Sequence, residues 1–181
     1  MAKGKFILAL LFIASCFLSD AAVFTKKQFF SPALNRDGTY FVSLPTGYSE
    51  TDTTKKFPVI IFLHGASVTA QDIVTQLELA LTNPFLGSQF QNLYNVIFVI
   101  PDGSAPPYLG SFYTNSELYG NFEDFIATDL ISEIDSNYNT WDYREKWSIM
   151  GHSMGGYGTT KIALRNPDLF IGFAVLSGPL H

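Results

Sequence analysis

The stretch Trp147-Ser148-Ile149-Met150-Gly151-His152-Ser153-Met154-Gly155-Gly156-Tyr157-Gly158 decides how this chain folds. Trp147 to Met150 has the apolar content of a short buried strand, and the spacing after Ser153 predicts a helix through Leu164. Gly151-x-Ser153-x-Gly155, set between a strand and a helix, is the pattern of a nucleophile elbow. In such a turn the backbone is strained and a serine hydroxyl stands at the carboxyl end of a sheet. Small residues flank the serine because the two backbones must approach closely. Ser153 is therefore the candidate nucleophile. The backbone N–H of Met154, opening the helix, is a candidate donor to an oxyanion.

Working upstream, Phe57-Pro58-Val59-Ile60-Ile61-Phe62-Leu63 is a continuous apolar run of the kind buried on both faces of a parallel sheet, ended by His64-Gly65-Ala66. A loop after an earlier strand supplies the second oxyanion donor in this arrangement, and the candidate is the backbone N–H of Ala66. His64, before a loop glycine, reads as a structural hydrogen-bonding residue and not as a base. His152 is also set aside as a base, because the strained turn sends neighbouring side chains in different directions. Asn95 to Ile100 forms a second buried strand stopped by Pro101-Asp102-Gly103. Thr39 to Leu44 alternates apolar and polar residues and reads as an edge strand ended by the turn Pro45-Thr46-Gly47-Tyr48.

Residues 70–82 have helical spacing, and Ser104 to Tyr119 reads as loop. From Asn121, taken as the cap, Phe122, Phe125, Ile126, Leu130, Ile134 and Tyr138 recur at three- or four-residue spacing, which predicts an amphipathic helix. Asn166-Pro167 stops the helix after Ser153, and Phe170 to Leu176 is a fourth strand. Strand and helix alternate without repeats. That order predicts an α/β fold with a mainly parallel sheet and helices on both faces.

Composition sets the limits. A chain of 181 residues, 47% hydrophobic and 15% aromatic, is enough for one core and too short for two ordinary domains. A net charge of -5 offers no basic surface for a phosphate backbone, so nucleic acid is not expected as a partner. Residues 1–21 read as a signal peptide, with Lys3 and Lys5 before an apolar run from Phe6 to Leu18 and small residues around Ala21. That run is too short for a stable membrane span. Residues 22–181 then form the folded domain, one charge unit more negative than the whole chain. The product is expected to be secreted. Ile13-Ala14-Ser15-Cys16 offers a second route to export, a lipoprotein anchored through Cys16. Cys16 is the only cysteine, so a chain cut after Ala21 has neither disulfides nor thiolate chemistry.

A series of landmarks resembles one known group. Tyr40 to Tyr48, Phe57 to Gly65, Ile100-Pro101-Asp102-Gly103, Phe112-Tyr113-Thr114-Asn115-Ser116, Phe122 to Ile126, Gly151 to Gly158 and Asn166 to Phe170 are similar, in order, to the esterase D group of α/β-hydrolases. That group contains S-formylglutathione hydrolases, feruloyl and other carbohydrate esterases, and mycolyltransferases. The resemblance implies an α/β-hydrolase fold, ester or thioester substrates, no cofactor and no metal. It implies Ser153 as nucleophile, with Ala66 and Met154 as oxyanion donors.

In such enzymes the acid and the histidine follow the serine. Here only Asp168 and His181 do. Asp168 falls between the elbow helix and the next strand, at the amino edge of the sheet, and His181 ends an untethered segment. Neither is expected to complete a triad. The expectation is a truncated amino-terminal portion of a hydrolase domain, inactive or nearly so by itself, whose triad acid and histidine lie elsewhere. The leading function is an exported carboxylic ester hydrolase of carbohydrate or feruloyl type, with Tyr108 to Tyr119 flanking a sugar or phenolic group. A thioesterase of S-formylglutathione hydrolase type and a non-catalytic hydrolase-like binding protein are the alternatives.

Overall fold

The structure, a computed structural model, describes residues 23–82, 95–141 and 143–179. The expected leader, Cys16 and His181 lie outside the described residues. A six-stranded sheet organises them, in the order β1-β2-β4-β3-β7-β8. The strands are β1 (Phe24–Ser31), β2 (Arg36–Ser43), β3 (Val59–Leu63), β4 (Ile97–Pro101), β7 (Trp147–His152) and β8 (Gly172–Leu176). The pairs β4 with β3, β3 with β7, and β7 with β8 are parallel, whereas β1 with β2 and β2 with β4 are antiparallel. A separate two-residue ladder pairs β5 (Asn115–Ser116), inside the segment expected to be loop, with β6 (Gly120–Asn121), just after it.

The apolar runs behave as their composition requires. All five residues of β4 are buried, and Val59, Ile61 and Leu63 of β3 share one face with Val99 and Ile149. On that face pack the helical segments α2 (Phe122–Asp124) and α3 (Ile131–Asn137), through Phe122 and Ile134, together with α4 (Met154–Arg165), through Ile162. The opposite face carries Phe41, Phe98 and Ile100, covered by α1 (Ala70–Thr82) through Ala70 and Val74. The period-two alternation of the strands thus sends one set of side chains to each helical layer. Among the described residues no helix is long and apolar enough to cross a membrane.

Three local readings change. Thr39 to Leu44 is not an edge strand: β2 is paired on both sides, and the edge belongs to β1, whose Lys26-Lys27-Gln28 carries no helical or buried-strand signal. Exposed lysines are what an open sheet edge needs. Asn121 does not cap α2 with its side chain; Asn115 Oδ1 accepts the Glu123 and Asp124 N–H groups at 3.0 and 3.1 Å instead. Between α2 and α3 the backbone adopts a π-helical turn (Phe125–Leu130). Asp129, on that turn, accepts the Ser31 hydroxyl and, at 2.9 Å, the Ala33 N–H, tying the helix to the β1–β2 connection.

Candidate active site

β7 ends at His152, and Ser153 follows with φ 53° and ψ −117° before α4 begins at Met154. A left-handed φ on a residue with a side chain is costly and survives only where the surroundings over-determine it. They do so here. The Ser153 N–H donates to the Leu176 carbonyl at 2.9 Å, and its carbonyl accepts the Tyr157 N–H at 3.1 Å. A Cβ on Gly151 would meet the Gly155 backbone, and one on Gly156 would come within 2.8 Å of Gly178 Cα. Strand, helix and the segment after β8 are thus packed backbone to backbone around the serine. Met154 is the first residue of α4, where N–H groups have no intrahelical partner and the helix dipole is positive.

The loop after β3 reaches the same place. A Cβ built on Gly65 would stand 3.5 Å from Ser153 Cβ and 3.5 Å from His152 Nδ1, so Gly65 lies directly against the nucleophile candidate. The Ala66 N–H has no hydrogen-bond acceptor among the described residues. Ala66, Met154 and Ser153 therefore come together at the carboxyl edge of the sheet. His64 is fully buried, with Nδ1 2.8 Å from the Gly65 carbonyl oxygen and Nε2 accepting the Gly103 N–H at 2.8 Å. Both ring nitrogens are spent on backbone, and neither is available to Ser153. Asp102 Oδ1 lies 3.3 Å from the same Nε2. Burial pushes the Asp102 carboxyl up, but hydrogen bonding, including two bonds from Ser104, holds it below its ordinary value.

A third element, the aromatic loop read in the sequence, lies beside them. The segment from Gly103 to Tyr119 folds over Ala66 and Met154: Leu109 O accepts the Ser67 N–H at 2.7 Å, and a Cβ on Gly110 would run into Met154 Sδ. Phe112 and Tyr113 follow with φ of 51° and 49°. Tyr113 is buried, donating its hydroxyl to the His64 carbonyl at 3.3 Å, and its own carbonyl accepts Lys161 Nζ at 2.8 Å. Burial pushes the Lys161 ammonium below its ordinary value, with Glu123 at 3.4 Å opposing that shift. Held this way, the exposed Phe112 ring meets Tyr157 edge to face at 6.1 Å, one helical turn beyond Ser153. No periodicity in the sequence announces this pair, since only the fold sets residue 112 beside residue 157. A cavity of about 380 Å³ lined by Arg36, Asp102, Ser104 and Tyr119 lies on the other flank of the same segment and includes none of Ser153, Ala66 or Met154. Backbone geometry marks the candidate site.

Asp168 falls where expected. The Ile171 N–H bonds the Trp147 carbonyl at the start of β7, so the loop from Asn166 to Ile171 sits at the amino edge, a full strand length from Ser153. His152 is exposed beside Gly65, and its side chain makes no hydrogen bond to Ser153. Among the described residues no group of His, Cys, Asp and Glu is arranged to hold a metal ion.

A mostly parallel sheet with helices on both faces, with a serine at positive φ between a strand and a helix on its carboxyl edge, defines the α/β-hydrolase class. Residues 31–181 match the family described as "Putative esterase", and the chain belongs to that esterase family. Esterase MT1326 of Mycobacterium tuberculosis (strain CDC 1551 / Oshkosh) and Esterase Rv1288 of Mycobacterium tuberculosis (strain ATCC 25618 / H37Rv) are each 30% identical to it over 142 residues, covering 76% of this chain and 28% of the relative. Among solved structures, a ferulic acid esterase superposes with a TM-score of 0.71 at 25% identity, covering 87% of this chain and 59% of the other. An S-formylglutathione hydrolase from Agrobacterium tumefaciens superposes at 0.65 and 21% identity, covering 85% and 57%, which shows the shared fold. The chain thus spans under a third of the curated relatives' length and under two thirds of these structures.

Proposed function

We propose that this chain is the nucleophile-bearing portion of an exported serine carboxylic ester hydrolase acting on feruloyl or other carbohydrate-linked esters. The observation that carries the reading is the strained Ser153 at the head of α4, with the Gly65–Ala66 segment directly against it. Ser153 Oγ attacks the ester carbonyl carbon as its proton passes to a histidine base, and the negative charge developing on the carbonyl oxygen is met by the Ala66 and Met154 N–H groups. Collapse of the tetrahedral species expels the alcohol, which takes the proton back, and leaves an acyl group on Ser153. Water, deprotonated by the same histidine, then releases the acid.

The base and its carboxylate lie outside residues 1–181 in this proposal. Asp168 at the far edge of the sheet and the greater length of the relatives support that. By itself the chain is then inactive or nearly so, and it leaves the cell with a start near Ala22, or at a lipidated Cys16.

The test is fluorophosphonate labelling of the purified protein with the modified peptide located by mass spectrometry, alongside hydrolysis of methyl ferulate by the chain and by any longer reading frame that contains it. Labelling of the longer form at Ser153 that is lost in Ser153→Ala, with labelling and turnover confined to that form, is the expected result. A folded longer form that neither labels nor turns over any aryl ester overturns the proposal in favour of a non-catalytic binding protein. Amino-terminal sequencing of secreted material tests the export arm, and intact Met1 in the cytosol overturns it.

A further inference from the structure

We propose that His64 is the positioning residue of the oxyanion loop: its imidazole, fixed as the neutral Nδ1–H tautomer, grips the Gly65 carbonyl and thereby directs the Ala66 N–H away from itself toward Ser153. The inference rests on the reading of Ala66 as an oxyanion donor.

The tautomer follows from the partners. A carbonyl oxygen only accepts, so the 2.8 Å contact with Gly65 O requires the proton on Nδ1. A backbone N–H only donates, so the 2.8 Å contact with Gly103 N requires a lone pair on Nε2. The Asp102 carboxylate competes for that nitrogen, which an imidazolium would satisfy. Its contact is the longer one, at 3.3 Å, and Asp102 Oδ1 already accepts the Ser104 hydroxyl at 2.6 Å and the Ser104 N–H at 3.0 Å. A proton on Nε2 would strip a buried N–H of its acceptor, and we assign the contact with Asp102 as proximity without a hydrogen bond.

The ring has little freedom to turn. It is fully buried, and Tyr113 stands edge-on at 5.9 Å while bonding the His64 carbonyl. What it holds is the peptide between Gly65 and Ala66. In a planar trans peptide the carbonyl and the following N–H point in opposite directions, so anchoring Gly65 O at the imidazole fixes where the Ala66 N–H points. The next peptide is anchored independently by the Ser67 N–H on Leu109 O, with Ser67 at φ 63°. Between these anchors the Ala66 N–H has no acceptor among the described residues, and Gly65 lies against Ser153. The hydrogen bond from Gly103, just past β4, thus passes through the imidazole to the loop after β3. A residue serving only to fill space would not need both nitrogens matched to backbone groups of opposite polarity.

Two substitutions separate positioning from filling. His64→Asn sets an amide N–H near the place of Nδ1 and can donate to Gly65 O. His64→Gln reaches toward Nε2, can accept from Gly103, and leaves Gly65 O without a donor. Crystal structures of both variants, with rates of fluorophosphonate reaction at Ser153 in the longer form and thermal midpoints, are the measurements. The Asn variant is expected to keep the Gly65–Ala66 peptide as it is and to react within roughly threefold of the parent. The Gln variant is expected to lose that orientation and to react about 100-fold more slowly, the loss that follows removal of one oxyanion donor. A Gln variant with the peptide unmoved, or two variants slowed equally in step with their thermal midpoints, overturns the proposal.

Nitrogen-15 NMR of the parent imidazole decides independently of either variant folding. A protonated Nδ1 with an imine-like Nε2 is expected, and a proton on Nε2 overturns the assignment. If the longer form is not labelled at Ser153 at all, the ester hydrolase reading fails, while the peptide orientation and the NMR signature still judge the role of His64.

Discussion

Gly155 and Leu63 meet backbone to backbone: a Cβ on Gly155 would fall within the Leu63 carbonyl group and 2.8 Å from the His64 carbonyl oxygen. The Leu63 carbonyl cannot yield without disturbing the pairing of β3 with β7 through Leu63 and Gly151, and the His64 carbonyl is held by the Tyr113 hydroxyl. Gly155→Ala is therefore expected to destabilise the fold by about 3 kcal/mol, the upper range for overpacking against rigid neighbours. Urea unfolding measures it, and a cost below about 1 kcal/mol would contradict the close approach.

Ser153 occupies φ 53°, a conformation that any Cβ strains and glycine does not. Ser153→Ala keeps the Cβ and is expected to leave stability unchanged, whereas Ser153→Gly is expected to gain about 1 kcal/mol. Both remove the hydroxyl and should abolish fluorophosphonate labelling of the longer form. Unfolding midpoints of the three proteins side by side give the comparison, and equal stability of the Ala and Gly variants would count against stored strain.

Alkali should unfold the protein through its buried phenols. Burial pushes Tyr113 well above its usual value, and burial together with Tyr138 and Glu133 does the same for Tyr40. Above pH 10 the unfolded chain releases these protons and the folded chain retains them. The folded state then binds more protons, and stability falls as pH rises, by about 1.4 kcal/mol per pH unit for each such tyrosine. Tyr113→Phe is expected to cost about 1 kcal/mol at neutral pH through the lost bond to His64 O and to reduce the alkaline slope by one proton. Urea titrations at stepped pH from 9 to 12 would show an unchanged slope if this is wrong.

Phe112 and Tyr157 present an aromatic edge beside the candidate nucleophile. Under the proposed function, truncating either to Ala should weaken aromatic acyl esters by roughly three- to tenfold in KM, the worth of one aromatic contact, and leave acetyl esters alone. Parallel kinetics on methyl ferulate and an acetyl ester provide the measurement. Equal losses on both would place the pair in structural support of α4 instead.

Most of the sheet was legible because its strands declare themselves locally. Val59 to Leu63 and Ile97 to Ile100 are apolar throughout, as a strand buried on both faces must be, and the glycines around Ser153 mark a turn where two backbones touch. The candidate nucleophile and the stretch carrying each candidate oxyanion donor were therefore readable from residues adjacent in the chain. What the sequence could not express is pairing between distant segments. β1 was missed because Thr25-Lys26-Lys27-Gln28 is exposed and becomes a strand only through its partner β2. The π-helical turn escaped notice because a three- or four-residue spacing is equally compatible with an unbroken α-helix, and only the docking of Asp129 onto Ser31 and Ala33 distinguishes them. The link from Gly103 through His64 to Gly65, and the strained Phe112 set against Tyr157, depend on the carboxyl ends of β3, β4 and β7 lying side by side. Apolar pattern and glycine placement are properties of the chain itself, while hydrogen-bond partners and strained rotations acquire meaning only when the sheet has brought separate loops to one edge.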